Sequence, residues 1–198
     1  MFGLYSALRR FGIAVTVITE TKAVRDIVGE ERTVHTEERF PAETVKVFSS
    51  KCQFKSGIDG SNRPIGGVGF VVRSGITECE YIPTSERLGV LRFIVKGRHY
   101  SLIAAYAPTE TGSTPAEKNQ FCGDLERLIR QHPKAIVAGD FNLKIGTDAV
   151  GWNTSWQRAV ADYSDDGETS EMGFNIIDLC DRCRLFMANF KLWKQPEK

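Results

Sequence analysis

The stretch Ala135-Ile136-Val137-Ala138-Gly139-Asp140-Phe141-Asn142 decides how the rest of this 198-residue sequence is read. Its four small or β-branched apolar residues predict a short buried strand. Gly139 breaks the run and permits a backbone path closed to other residues. Asp140 and Asn142 follow at the strand's end. If the backbone stays extended, both point to one side and Phe141 turns back toward the core. A carboxylate and an amide held together at a sheet edge suit phosphate or water handling near a metal ion. The same pair suits an Asx turn bonded to nearby backbone, so the stretch alone leaves both readings open.

The composition is that of an ordinary globular chain, 41% hydrophobic and 26% charged, at a length that fits one domain. A net charge of +1 points to no class of partner, although Lys and Arg gathered on one face could still meet nucleic acid. The five cysteines (Cys52, Cys79, Cys122, Cys180 and Cys183) are odd in number and scattered. That argues against a disulfide framework and for a reducing, intracellular setting. Cys180 and Cys183 fall in a helical pattern with no second Cys or His pair near them, which argues against zinc. His35, His99 and His132 have no ligand spacing. No apolar run is long enough for a membrane helix, and Met1 to Arg10 lacks the order of a secretory signal, so no membrane association is expected.

Upstream, Leu4, Tyr5, Leu8 and Phe11 have helical spacing, closed by Gly12. Ile13 to Thr19 reads as a buried strand running into Glu20. Thr21 to Pro64 is polar and interrupted, with a short strand over Val45 to Phe48. Val68 to Arg73, Ile76 to Pro83, Leu88 to Val95 and Tyr100 to Tyr106 read as strands, the last two joined through Lys96-Gly97-Arg98. Pro108 stops the last of them. Thr114 and Pro115 open an amphipathic helix to Gln131 whose stripe is Phe121, Leu125, Leu128 and Ile129. Downstream, Lys144 to Asp166 is irregular, with Trp152 and Trp156 expected over a core edge. Glu168 to Arg182 reads as a second helix, and Leu185 to Phe190 as a last strand.

Three strands therefore end in residues suited to phosphate chemistry: Glu20, Tyr106, and Asp140 with Asn142. Ligands gather at such C-terminal ends in α/β sheets. If these ends converge, Glu20 suits a hard cation such as Mg²⁺, Asp140 a water, and Tyr106 and Asn142 phosphate oxygens. Singly, each also reads as an ordinary strand-end or sheet residue.

Val17-Ile-Thr-Glu20-Thr, Gly66-Gly-Val-Gly-Phe70, Ser85-Glu-Arg87, Ala105-Tyr-Ala-Pro108 and Gly139-Asp-Phe-Asn142 together resemble the endonuclease/exonuclease/phosphatase superfamily, also called DNase I-like. The nearest likeness is to the endonuclease domains of non-LTR retrotransposons and to craniofacial-development-protein-2-like proteins. Gly167 to Asn189 also resembles that group's helix followed by a strand ending in Asn. The resemblance implies an α/β (α+β) fold, a four-layer sandwich of two mainly antiparallel sheets flanked by helices. It implies Mg²⁺- or Mn²⁺-dependent hydrolysis of phosphodiester bonds, with DNA as partner and the nucleus as workplace. By motif, Glu20 takes the metal-ligand position, Tyr106 contacts phosphate, Asp140 activates the attacking water and Asn142 orients the phosphate.

The family pattern also opens with a strand bearing Asn and closes with an Asp strand and a Ser-Asp-His motif. Neither is matched between Met1 and Lys198. The expectation is one domain over 1–198 lacking the first strand and the C-terminal Ser-Asp-His segment, and weak or inactive as a nuclease. Two alternatives stand beside it: a catalytically dead remnant binding nucleic acid or protein, and a phosphatase or phospholipid phosphodiesterase of the same fold.

Overall fold

Apolar residues at alternate strand positions sort the first half of the chain into two faces. In the computed structural model, which describes residues 2–34, 43–56, 62–76, 78–149 and 167–191, these strands form two sheets packed together with one apolar face between them. One has strand order β1-β6-β3-β2, with β1 Val15–Thr19, β2 Ile27–Val34, β3 Glu43–Ser49 and β6 Val68–Arg73, all antiparallel. The other has order β10-β9-β8-β7, with β7 Cys79–Pro83, β8 Leu88–Val95, β9 Arg98–Tyr106 and β10 Ile136–Asp140. Within it β7, β8 and β9 are antiparallel and β10 runs parallel to β9. A small ribbon of β4 Gln53–Ser56 and β5 Asn62–Ile65 stands apart from both.

Between the sheets lie Phe48, Val68, Phe70, Val72, Leu91 and Ala104, every one buried. Tyr81 completes this layer, its ring 5.7 Å from Phe48 and 5.8 Å edge-on to Phe70. The odd positions of the same strands, Val45, Val47 and Val71, face the opposite way and are covered by Leu8 of α1 (Phe2–Arg10). Period-two alternation thus accounts for a helix on the outer face of the first sheet.

The chain divides into two compact units, Met1–Tyr106 with Lys134–Asp140, and Ala107–Pro133 with Phe141–Lys198. The first holds both sheets and α1. The second holds α2 (Pro115–Gln131), a 3₁₀ turn at Thr147–Ala149, α3 (Glu171–Cys183) and α4 (Ala188–Lys191). Helix α2 starts as its sequence demands. Thr114 Oγ1 accepts from the Glu117 amide and Glu117 reaches back to the Thr114 amide, a capping box with Pro115 at the first helical position. Buried Lys118 pairs with Glu110 at 3.1 Å and Glu171 at 2.7 Å, and Glu126 pairs with Arg182 at 3.1 Å, which joins α2 to α3.

The structure differs from the sequence pattern in several elements. Ile27–Val34 is a strand where only polar, interrupted text was expected. It is an edge strand with Glu31 and Arg32 exposed, and a bulge between Val28 and Glu30 destroys its alternation. Leu185 to Phe190 is not a strand: it runs irregularly and then enters α4. Ile136–Asp140 was expected to be buried, yet it is the edge of its sheet and Ile136 is 64% exposed. The Lys96-Gly97-Arg98 connection shortens to Lys96-Gly97. Both residues have positive φ (49° and 72°), the type I′ geometry that suits twisted hairpins, and Arg98 already pairs with Val95. Trp152 and Trp156 lie outside the described residues.

Candidate active site

The two sheets present three strand ends at one rim of the first unit. Strand β1 delivers Glu20, β9 ends at Tyr106, and β10 ends at Asp140 directly beside it, because Asp140 and Tyr106 are register partners. The Tyr106 hydroxyl donates to Glu20 Oε1 at 2.5 Å, across 86 residues of sequence. Glu20 and Asp140 are exposed, whereas Tyr106 is only 6% exposed. Burial, the Glu20 carboxylate that accepts its proton and the nearby Asp140 charge push the Tyr106 phenol up to about 12, against a counterpull from Arg87. In this arrangement the phenol is a proton donor.

Glu20 is placed by a strained turn. It has φ 53°, a left-handed conformation unusual for a side chain of its kind, immediately after β1. The Gly66-Gly67 pair holds it there. The Thr21 amide donates to Gly67 O at 3.0 Å and the Lys22 amide to Gly66 O at 3.2 Å. Thr21 Oγ1 bonds Ser49 Oγ at 2.6 Å. Gly67 itself has φ 87°, and a Cβ there would stand 2.3 Å from Thr21 Oγ1. A glycine is therefore required where the Glu20 turn leans on β6.

Residues Ser85 to Arg87 close the circuit. The Gly67 amide donates to Glu86 O at 2.7 Å, and the Tyr106 amide to Arg87 O at 2.9 Å. The Arg87 guanidinium lies 5.4 Å from the Tyr106 ring centroid, and its Nη1 reaches Tyr106 O at 3.4 Å. Four motif segments that are far apart in sequence form one hydrogen-bonded ring around Tyr106. In the sequence Arg87 is one residue of the Ser85-Glu-Arg87 motif, and nothing local signals that its side chain stacks on a tyrosine.

Gly139 of the fifth segment is equally constrained. It has φ 153°, and a Cβ would meet Ala105 O at 1.8 Å, so the parallel pair of β9 and β10 closes only over a glycine. A cleft of about 520 Å³ runs along β1 and β10, lined by Val15, Val17, Thr19, Leu102 and Ala138, with Asp140 at its end. Asn142 departs from the expected alternation. The strand ends at Asp140, and Asn142 turns left-handed with φ 45°, so it does not continue the extended path that would align it with Asp140. It belongs to the second unit, where its Nδ2 donates to Ala107 O at 2.8 Å.

The donors at the rim are hard oxygens, the kind Mg²⁺ and Mn²⁺ prefer. Among the described residues no three acidic, His or Cys side chains cluster closely enough to cage a metal. Mg²⁺ commonly uses one or two carboxylates and keeps several waters, so exposed Glu20 fits a water-rich site of that kind. Among the described residues no helix is long and apolar enough to cross a membrane.

No protein-family model and no curated protein matches this sequence. Among solved structures, the chain is similar to the endonuclease domain of TRAS1, a telomere-specific non-LTR retrotransposon, at 14% identity and a TM-score of 0.51. The match covers 91% of this chain and 63% of that one, so the chain spans less than two thirds of the domain it resembles. The fold is α/β, of the DNase I-like kind.

Proposed function

We propose that the chain is a divalent-metal-dependent phosphodiester hydrolase of the DNA endonuclease type, of retrotransposon descent and slow on its own. The observation that carries this is the Tyr106 hydroxyl on Glu20 with Asp140 paired beside it, three strand ends of unlike origin at one rim. The likeness of fold to a retrotransposon endonuclease domain favours DNA over a small phosphate ester. Work on chromosomal DNA would place it in the nucleus.

In this reading Glu20 holds Mg²⁺ or Mn²⁺, which when bound neutralises charge building on the phosphate oxygens. Asp140 accepts the proton of the attacking water, and Tyr106 exchanges its bond to Glu20 for one to a non-bridging oxygen. Asn142 enters by its place in Gly139-Asp-Phe-Asn142. Slow turnover is expected because the Ser-Asp-His motif of the family this sequence resembles is not matched in it, and His99, at the start of β9, lies seven residues from Tyr106, on the order of 24 Å along the strand. It cannot assist at this rim.

The test is nicking of supercoiled plasmid by the purified chain with Mg²⁺ and with Mn²⁺. Slow nicking abolished by EDTA, and cut by roughly two orders of magnitude or more in Asp140→Ala, is the expected result. A folded chain that nicks no faster than Asp140→Ala would overturn the proposal in favour of a binding module.

A further inference from the structure

Arg87 touches Tyr106 in three ways, and each restrains a different part of that residue. Its carbonyl accepts from the Tyr106 amide at 2.9 Å, its Nη1 donates to the Tyr106 carbonyl at 3.4 Å, and its guanidinium covers the ring at 5.4 Å. The arginine is itself held. Ser85 Oγ accepts from the Arg87 and Leu88 amides at 3.1 and 3.0 Å, and Glu86 Oε1 lies 3.7 Å from Arg87 Nε. With 22% of its side chain exposed, Arg87 is partly dehydrated, the condition under which cation–π contact is strongest. The other side of Tyr106 is the packed layer between the sheets. The ring is therefore clamped with its hydroxyl aimed at Glu20.

We propose that Arg87 is the positioning residue for Tyr106: its planar guanidinium fixes the ring at the rim so that the hydroxyl passes from Glu20 to a phosphate oxygen without movement of the ring. The inference rests on the hydrolase reading above. A flat, delocalised cation is what the geometry uses, so lysine is not equivalent here. Reorganisation avoided at the moment of reaction appears in kcat, whereas ground-state binding is largely unaffected.

Two readouts test it. The first needs no activity. In the chain labelled with 3-fluorotyrosine, the Tyr106 fluorine resonance is identified by its disappearance in Tyr106→Phe. Arg87→Met shifts or broadens it as the ring gains freedom, and Arg87→Lys does so only in part. The second is metal-dependent nicking. Arg87→Met lowers kcat roughly tenfold with KM within about twofold, and costs less than about twofold in the Tyr106→Phe background. A Tyr106 resonance unchanged in folded Arg87→Met, or full additivity in the double variant, would overturn the proposal. If Arg87→Met does not fold, Arg87→Lys supplies the same comparison. A chain inactive throughout defeats the hydrolase reading, while the resonance still decides whether Arg87 holds Tyr106.

Discussion

Replacing Gly139 by alanine strikes the strand junction that carries Asp140, and the structure allows its cost to be worked out. The residue has φ 153°, a region that side chains rarely adopt, and such strain costs about 1–3 kcal/mol. The added Cβ would also fall 1.8 Å from Ala105 O, with Ala105 C and N at 2.8 and 2.9 Å. Those atoms are backbone of the paired strand and cannot swing aside, so β10 must move away from β9. Loss of about two ladder hydrogen bonds at roughly 1 kcal/mol each brings the total to about 3–5 kcal/mol. Gly97→Ala provides the control. It has φ 72° and nothing within 4 Å of the added Cβ, so it pays strain alone, about 1 kcal/mol. Thermal unfolding of both variants beside the parent chain is the assay. At about 2–4 °C per kcal/mol for a chain of this size, Gly139→Ala should melt roughly 6–20 °C below the parent and Gly97→Ala a few degrees below. Equal melting midpoints for the two variants would refute the reasoning, since they would show that the close approach of β9 and β10 at Gly139 does not exist.

Lys118 is buried between Glu110 and Glu171, and hydrogen bonding to Glu171 raises its pKa. A raised amine stabilises the fold fully below the ordinary lysine range and loses that contribution as pH rises through the raised value, so Lys118→Met should flatten the alkaline fall in melting midpoint. An alkaline limb identical in both chains would count against the buried pairing. Burial pushes the Cys122 thiol up to about 11 and the Cys180 thiol up to about 12, so neither should react with a disulfide reagent at pH 8 until the chain unfolds. In a thiol titration the native chain should release fewer than five equivalents rapidly and all five in guanidinium, and five rapid equivalents would contradict the packing.

The residues also divide by what could be read from them in isolation. Glycine, proline and cap positions act locally, and for that reason Thr114-Pro115, Lys96-Gly97 and Gly139 were legible from the sequence. Strong alternation or helical spacing made β6, β8, β9, α1 and α2 legible in the same way. Strand β2 was not, because an edge strand exposes one side and its bulge breaks the period. Leu185 to Phe190 has a strand's composition but enters a helical turn, since short apolar segments are settled by their surroundings and not by propensity.

By itself the sequence determined the order of the motifs, the strand ends on which Glu20, Tyr106 and Asp140 stand, and the class of fold those motifs resemble. Only the tertiary structure decided that Tyr106 bonds Glu20, that Gly66-Gly67 and Ser85 to Arg87 close a ring around them, and that Asn142 turns away from the extended path. Each of those facts depends on atoms brought within 3 Å or so across tens of residues, and local propensity carries no information about such distances. Arg87 shows the difference most plainly: in the sequence it is a motif residue with no role of its own, and in the fold it is the cation lying over the face of Tyr106.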